Sequence, residues 1–229
     1  MTPLIIALDK MDCAQALALA DTLDPTQCRV KVGKELFTRE GPAVVNALHA
    51  KGFEVFLDLK FHDIPHTVAQ AVEASADLGV WMVNVHAQGG PAMLEAAANR
   101  LTVGGYDTKL IAVTVLTSMS EQELSQIGIG GSLDAHVTRL AAMSFNAGLD
   151  GVVCSAHEAS MIRQATSDAF LRVTPGIRPA FAAKNDQSRI MTPKQALDAG
   201  STHLVVGRPV TQAEAPQYAL ERIIDELHG

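Results

Sequence analysis

The segment Asp58-Leu59-Lys60-Phe61-His62-Asp63-Ile64-Pro65 closes an apolar run with four ionisable side chains, Asp58, Lys60, His62 and Asp63. In a strand, successive side chains alternate between faces, so Asp58 and Lys60 point the same way. Lys31 lies between Val30 and Val32 in a second apolar run. An ammonium there is costly unless it is paired or faces a cavity. If the two runs are neighbouring strands, Lys31, Asp58 and Lys60 alternate in sign, and Asp63 follows in the turn before Pro65. At ~4 Å and an effective dielectric near 20, each opposite pair is worth roughly 4 kcal/mol before desolvation. Such an array keeps both lysines protonated. It suits a general acid or a fixed cation rather than a Schiff-base lysine, which must lose its proton. The competing reading is an inert buried ion-pair network that fixes register.

A second group is Val205-Val206-Gly207-Arg208-Pro209. Glycine allows close backbone approach, and an arginine fork matches phosphate oxygens, so this segment reads as a phosphate site. A surface ion pair is the alternative for Arg208. Arg178 and Gln187 lie in the stretch Pro175 to Pro193, which is polar, bounded by prolines and without regular periodicity. A loop of that length is usually functional, and these two side chains read as parts of a lid over the same ligand. There is no GxGxxG, GxxxxGK[ST] or HExxH. His62 and His66 are separated by Pro65, which argues against a metal-binding pair on one regular helix. No metal site is expected.

These residues need a scaffold, and the apolar pattern supplies one. Short β-branched runs recur at Leu4–Leu8, Arg29–Val32, Phe53–Leu59, Trp81–His86, Leu110–Leu116, Gly151–Ser155, Phe170–Thr174 and His203–Val206. Helical spacing fills the intervals, as in Ala14-Leu17-Ala20-Leu23 and Leu220-Ile223-Ile224-Leu227. The runs start about 28 residues apart, a comfortable β/α unit. Nearly continuous apolar strands alternating with helices imply a parallel sheet buried on both faces. Eight units in 229 residues favour a closed barrel over an open sheet, so the expected α/β fold is a single-domain (β/α)8 TIM barrel over residues 1–229. In that fold the site lies at the C-terminal strand ends. The polar residues closing the runs are Asp9, Lys31, Asp58 with Lys60, Asn84 with His86, Thr114 with Thr117, Ser155, Thr174, and Gly207 with Arg208. For a lone Asp or Thr among them, a helix cap is the competing reading.

Composition narrows the partners. A formal net charge of −7 disfavours a nucleic-acid backbone. The longest apolar run is five residues, Leu4 to Leu8, so no membrane span is expected. No secretory leader is legible. Cys13, Cys28 and Cys154 are odd in number and scattered, which fits a reducing cytoplasm better than a disulfide framework.

Taken in order, Leu4-Ile-Ile-Ala-Leu-Asp9, Lys31-Val-Gly-Lys34, Asp58-Leu-Lys-Phe-His-Asp-Ile-Pro65, Val173-Thr-Pro-Gly-Ile-Arg-Pro179 and Val206-Gly-Arg-Pro209 resemble the bacterial type of orotidine 5′-phosphate decarboxylase across almost the whole chain. The resemblance implies cofactor-free loss of CO2 from orotidine monophosphate to give uridine monophosphate, the last step of de novo pyrimidine nucleotide synthesis. It implies that Lys60 protonates the carbon vacated by CO2 and that Asp58 lies against the departing carboxylate. It makes Asp9 and Lys31 ribose-binding residues, with Lys31 also holding Asp58. It assigns Thr117 and Ser118 to the pyrimidine edge, and Arg178, Gln187, Gly207 and Arg208 to the lid and phosphate. It implies that Asp63 completes the catalytic charge array with Lys31, Asp58 and Lys60, and that in a homodimer Asp63, accompanied by Thr67, enters the partner's site. Magnesium-dependent sugar-phosphate decarboxylases and synthases share Asp-x-Lys-x-x-Asp on the same barrel and are the alternative. They place an acidic metal ligand where this sequence has Lys31. A non-catalytic phosphate-ligand sensor is the non-enzyme alternative.

Overall fold

The structure is a computed structural model describing residues 2–182 and 191–228. Eight strands, β1 (Leu4–Ala7), β2 (Arg29–Gly33), β3 (Val55–Phe61), β4 (Met82–His86), β5 (Lys109–Val113), β6 (Gly151–Val153), β7 (Leu171–Thr174) and β8 (His203–Val206), pair in chain order. Every pairing is parallel, and β8 returns to β1, closing the barrel. Helices lie between the strands, so the described residues form the single (β/α)8 barrel expected from the run pattern.

The alternation of strand side chains divides the apolar residues into two cores. Ile5, Phe56, Met82, Ile111, Val173 and Val205 fill the barrel interior. Their neighbours Leu4, Ile6, Val30, Val32, Leu57 and Val83 face outward into the layer beneath the helices. Burial on both faces is why the strands read as continuous apolar runs instead of alternating ones. Helix starts follow local chemistry: Asp12 and Gln15 form a reciprocal capping box at Cys13–Ala20, and Pro65 and Pro91 open Pro65–Asp77 and Pro91–Gly104. Proline suits a first helical position because its missing N–H would have no helical acceptor there.

Two strand ends differ from expectation in ways that matter for the site. β3 runs on to Phe61 rather than ending at Leu59, so Lys60 belongs to the strand itself. β5 ends at Val113, and the apolar residues that follow, Val115 and Leu116, line a cavity. After β7, Ile177 and Met191 form a parallel bridge ahead of the helix Pro193–Asp198. Gln187 lies outside the described residues. Among the described residues, no helix is long and apolar enough to cross a membrane.

Candidate active site

A cavity of about 680 Å³ opens at the C-terminal ends of the strands. Its apolar wall comes from inward residues near the strand ends, Phe56, Val113, Val153, Val173 and Val205. The charged wall comes from β1 to β3. There Lys31 Nζ lies 2.9 Å from Asp9 Oδ1 and 3.1 Å from Asp58 Oδ2, and Lys60 Nζ lies 2.5 Å from Asp58 Oδ1. The alternating array predicted from side-chain parity is therefore present. Asp9 extends it at its outer end, with its side chain half exposed while that of Lys31 is 7% exposed.

Parity alone does not account for how Lys60 gets there. Leu57 of β3 pairs with Val83 of β4, but the next pair is Phe61 with Val85. Four steps along β3 therefore match two along β4, a bulge that carries Asp58 and Lys60. Lys60 takes φ +54°, a left-handed conformation uncommon for a residue with a side chain. Its N–H donates to Asn84 Oδ1 at 2.8 Å, in place of a ladder carbonyl.

The field within the array decides which groups are charged. Burial works to raise the Asp58 carboxyl, but the Lys31 and Lys60 ammoniums, with hydrogen bonds from Lys60 and Asn84, hold it down at about 2. Burial likewise works against the Lys31 ammonium, and Asp58 and Asp9 outweigh it, leaving Lys31 above its ordinary range. Both are ionised at neutral pH. Beside them His86 is pushed down to about 4 by burial and then by His62, Lys34 and Lys60, so it is neutral. Space is tight in the array. A Cβ on Gly33 would stand 2.9 Å from Asp9 Oδ1 and 3.3 Å from Lys31 Nζ.

Gly207 and Arg208 follow β8, which pairs with β1 beside the charged wall, and Thr117 and Arg178 also line the cavity. Arg178 is buried; its backbone N–H donates to Met191 O at 3.0 Å and its guanidinium to Ile177 O at 3.0 Å. A Cβ at Gly207 would meet only Ala7, at 3.9 Å, so packing within the chain does not demand glycine there. Ser118 is exposed next to Thr117 and is not part of the lining.

Asp63 and Thr67 are not brought into this cavity. Both are exposed; Asp63 Oδ1 accepts a 2.6 Å hydrogen bond from Ile64 N, and Thr67 is in the first turn of Pro65–Asp77. The separation of His62 and His66 by Pro65 holds: His66 enters the helix, while the His62 ring packs 5.7 Å from that of His86. Among the described residues, no group of three or more His, Cys, Asp or Glu side chains is placed to hold a metal ion. Sequence reading missed Lys10, Gln15, Thr211 and Gln212 as lining residues. It also gave no role to Asn84, although a polar residue between Val83 and Val85 carries the same signal that singled out Lys31.

Comparison with known proteins agrees with this geometry. Residues 2–223 match the family model described as orotidine 5′-phosphate decarboxylase / HUMPS family. A protein of Chromohalobacter salexigens named orotidine 5′-phosphate decarboxylase is 61% identical over 226 residues, covering 99% of this chain and 96% of that protein. One of the same name from Alcanivorax borkumensis is 57% identical over 226 residues, covering 99% of this chain and 98% of its own. A crystal structure of the Lactobacillus acidophilus orotidine 5′-phosphate decarboxylase superposes with a TM-score of 0.89 at 40% identity over 100% of both chains. An uncharacterised conserved protein from Geobacillus kaustophilus gives 0.85 at 39% identity, over 98% of this chain and 100% of its own. In fold, in the order of its motifs and in similarity over nearly its whole length, the chain belongs to the orotidine 5′-phosphate decarboxylase / HUMPS family.

Proposed function

We propose that this protein decarboxylates orotidine 5′-phosphate to uridine 5′-phosphate without a cofactor, with Lys60 as the proton donor. The observation that carries this reading is Asp58, ionised and flanked by two ammoniums at the floor of a cavity of nucleotide size. When the bond from the pyrimidine ring to the carboxylate breaks, its electron pair stays on the ring carbon and CO2 leaves. Little delocalisation is available to that pair, so a fixed positive charge must already stand beside the carbon. The Lys60 ammonium supplies that charge and then the proton, and solvent reprotonates the amine it leaves. Asp58 and Lys31 keep the ammonium oriented, and Asp58 faces the departing carboxylate.

Asp9 and Lys31 bind ribose hydroxyls in this reading. Thr117 and Ser118 read the pyrimidine edge. Gly207 and Arg208 take the phosphate, with Arg178 and Gln187 closing over it. The open space at Gly207 supports close backbone approach of a ligand. Phosphate binding is spent on closure and on forcing a charged ring against Asp58. Asp63 and Thr67 serve the partner's site in a homodimer; their exposure beside Ile64, itself 67% exposed, supports that assignment. The three free, separated thiols favour work in the cytoplasm.

The metal-dependent sugar-phosphate alternative is disfavoured by Lys31, whose charge on β2 repels a divalent cation. The test is release of CO2 from orotidine 5′-phosphate by the parent protein and by Lys60→Ala. The parent converts the substrate, whereas the variant binds uridine 5′-phosphate but does not turn over. Near-normal turnover in the variant overturns the assignment of Lys60.

A further inference from the structure

The structure assigns to Asn84 the role of a positioning residue that clamps Lys60 and Asp58 together from the neighbouring strand. This inference rests on the decarboxylase reading above and deepens it. Asn84 is fully buried, with a relative exposure of 0%. Its Oδ1 accepts from Lys60 N at 2.8 Å, and its Nδ2 donates to Asp58 Oδ1 at 2.7 Å.

The orientation of the amide follows from its partners. A backbone N–H can only donate, so Oδ1 must face Lys60, and Nδ2 is left facing a carboxylate that can only accept. Neither a hydroxyl nor an apolar side chain of this size supplies an acceptor and a donor at those two places. The bulge explains the need. Between the pairs Leu57–Val83 and Phe61–Val85 the ladder is out of step, and a buried N–H without an acceptor costs as much as a lost hydrogen bond. Asn84 sits between Val83 and Val85 and fills that gap with its side chain. Its second hydrogen bond lands on the oxygen that also receives Lys60 Nζ, so one side chain fixes both the main chain under Lys60 and the carboxylate that orients its ammonium. The groups facing position 84 are thus Asp58 and Lys60 on β3, with Lys31 beyond Asp58. Its register partner on β5 is Ile111.

The test compares the parent with Asn84→Leu, which keeps the branched shape without polar atoms, and Asn84→Ala. A misplacement on the order of 1 Å at a reacting group costs about 100-fold, so kcat falls by about that factor in both variants. The Kd for uridine 5′-phosphate stays within about threefold, because phosphate and ribose are held elsewhere. Asn84→Asp keeps the acceptor for Lys60 N–H but offers Asp58 a donor only while its own carboxyl is protonated. Its kcat relative to the parent therefore declines as pH rises, and it decides the question if the other two do not fold. The inference is overturned if Leu and Ala keep kcat within fivefold of the parent. It is also overturned if product affinity and kcat fall in parallel, or if the ratio for Asn84→Asp is flat with pH. A parent that leaves orotidine 5′-phosphate intact overturns the functional reading, and the Asn84 role with it, so the two failures are distinguished by the parent alone.

Discussion

Lys60 carries its side chain at φ +54°, and the strain this implies is measurable. In the left-handed region Cβ crowds the following carbonyl, which costs an L-residue roughly 1–2 kcal/mol. Glycine avoids that contact, although its freer unfolded chain costs it about 0.5–1 kcal/mol against alanine inside an ordinary strand. Comparing Lys60→Gly with Lys60→Ala isolates the backbone contribution, because both variants lose the ammonium and its contact with Asp58. The balance favours glycine by about 0.5–1 kcal/mol, whereas a regular strand position favours alanine by a similar amount. Equilibrium urea unfolding at pH 7, with midpoint and slope fitted for each variant, reads the sign directly. In thermal unfolding the gap is about 1–4 °C for a chain of this size. An alanine variant more stable than the glycine variant would show that the fold does not hold Lys60 in a strained conformation.

Arg208→Ala weakens uridine 5′-phosphate by about 2–3 kcal/mol and leaves uridine affinity nearly unchanged; equal losses measured by calorimetry point to misfolding instead. Mixing Asp63→Ala with Lys60→Ala subunits restores part of the activity in heterodimers if Asp63 acts across the interface, and no recovery under verified subunit exchange removes that assignment. Stability falls as pH drops from about 6.5 to 4, because burial first and Arg29 second push His203 down to about 4, so the unfolded chain takes up that proton earlier. His203 contributes on the order of 3 kcal/mol at most. His203→Phe, which keeps an aromatic ring against Trp81, flattens the slope in urea titrations between pH 7 and 4.5, and an unchanged slope rules out this source.

The barrel was legible because burial on both faces writes each strand as an apolar run, and eight such runs leave few other topologies. Strand ends were less legible where function intrudes. Val115 and Leu116 are apolar because they line a cavity, and they extend the apparent strand past Val113. The charged array was legible because Lys31 is too costly within an apolar run without partners. The bulge was not, since a left-handed lysine leaves no mark in composition or period, and the role of Asn84 is visible only once the bulge is seen. Asp63 and Thr67 point to a different limit: within one chain both are exposed and outside the cavity lining, so their assignment rests on resemblance and on the exposure of the segment that carries them.

Under the proposed mechanism this site breaks a carbon–carbon bond with its own charges and no metal. Following the ultraviolet absorbance of orotidine 5′-phosphate with purified protein in EDTA tests it most directly. Rapid loss of the orotate chromophore with formation of uridine 5′-phosphate is the predicted result. Intact substrate in the presence of folded protein, or conversion only after magnesium is restored, contradicts it.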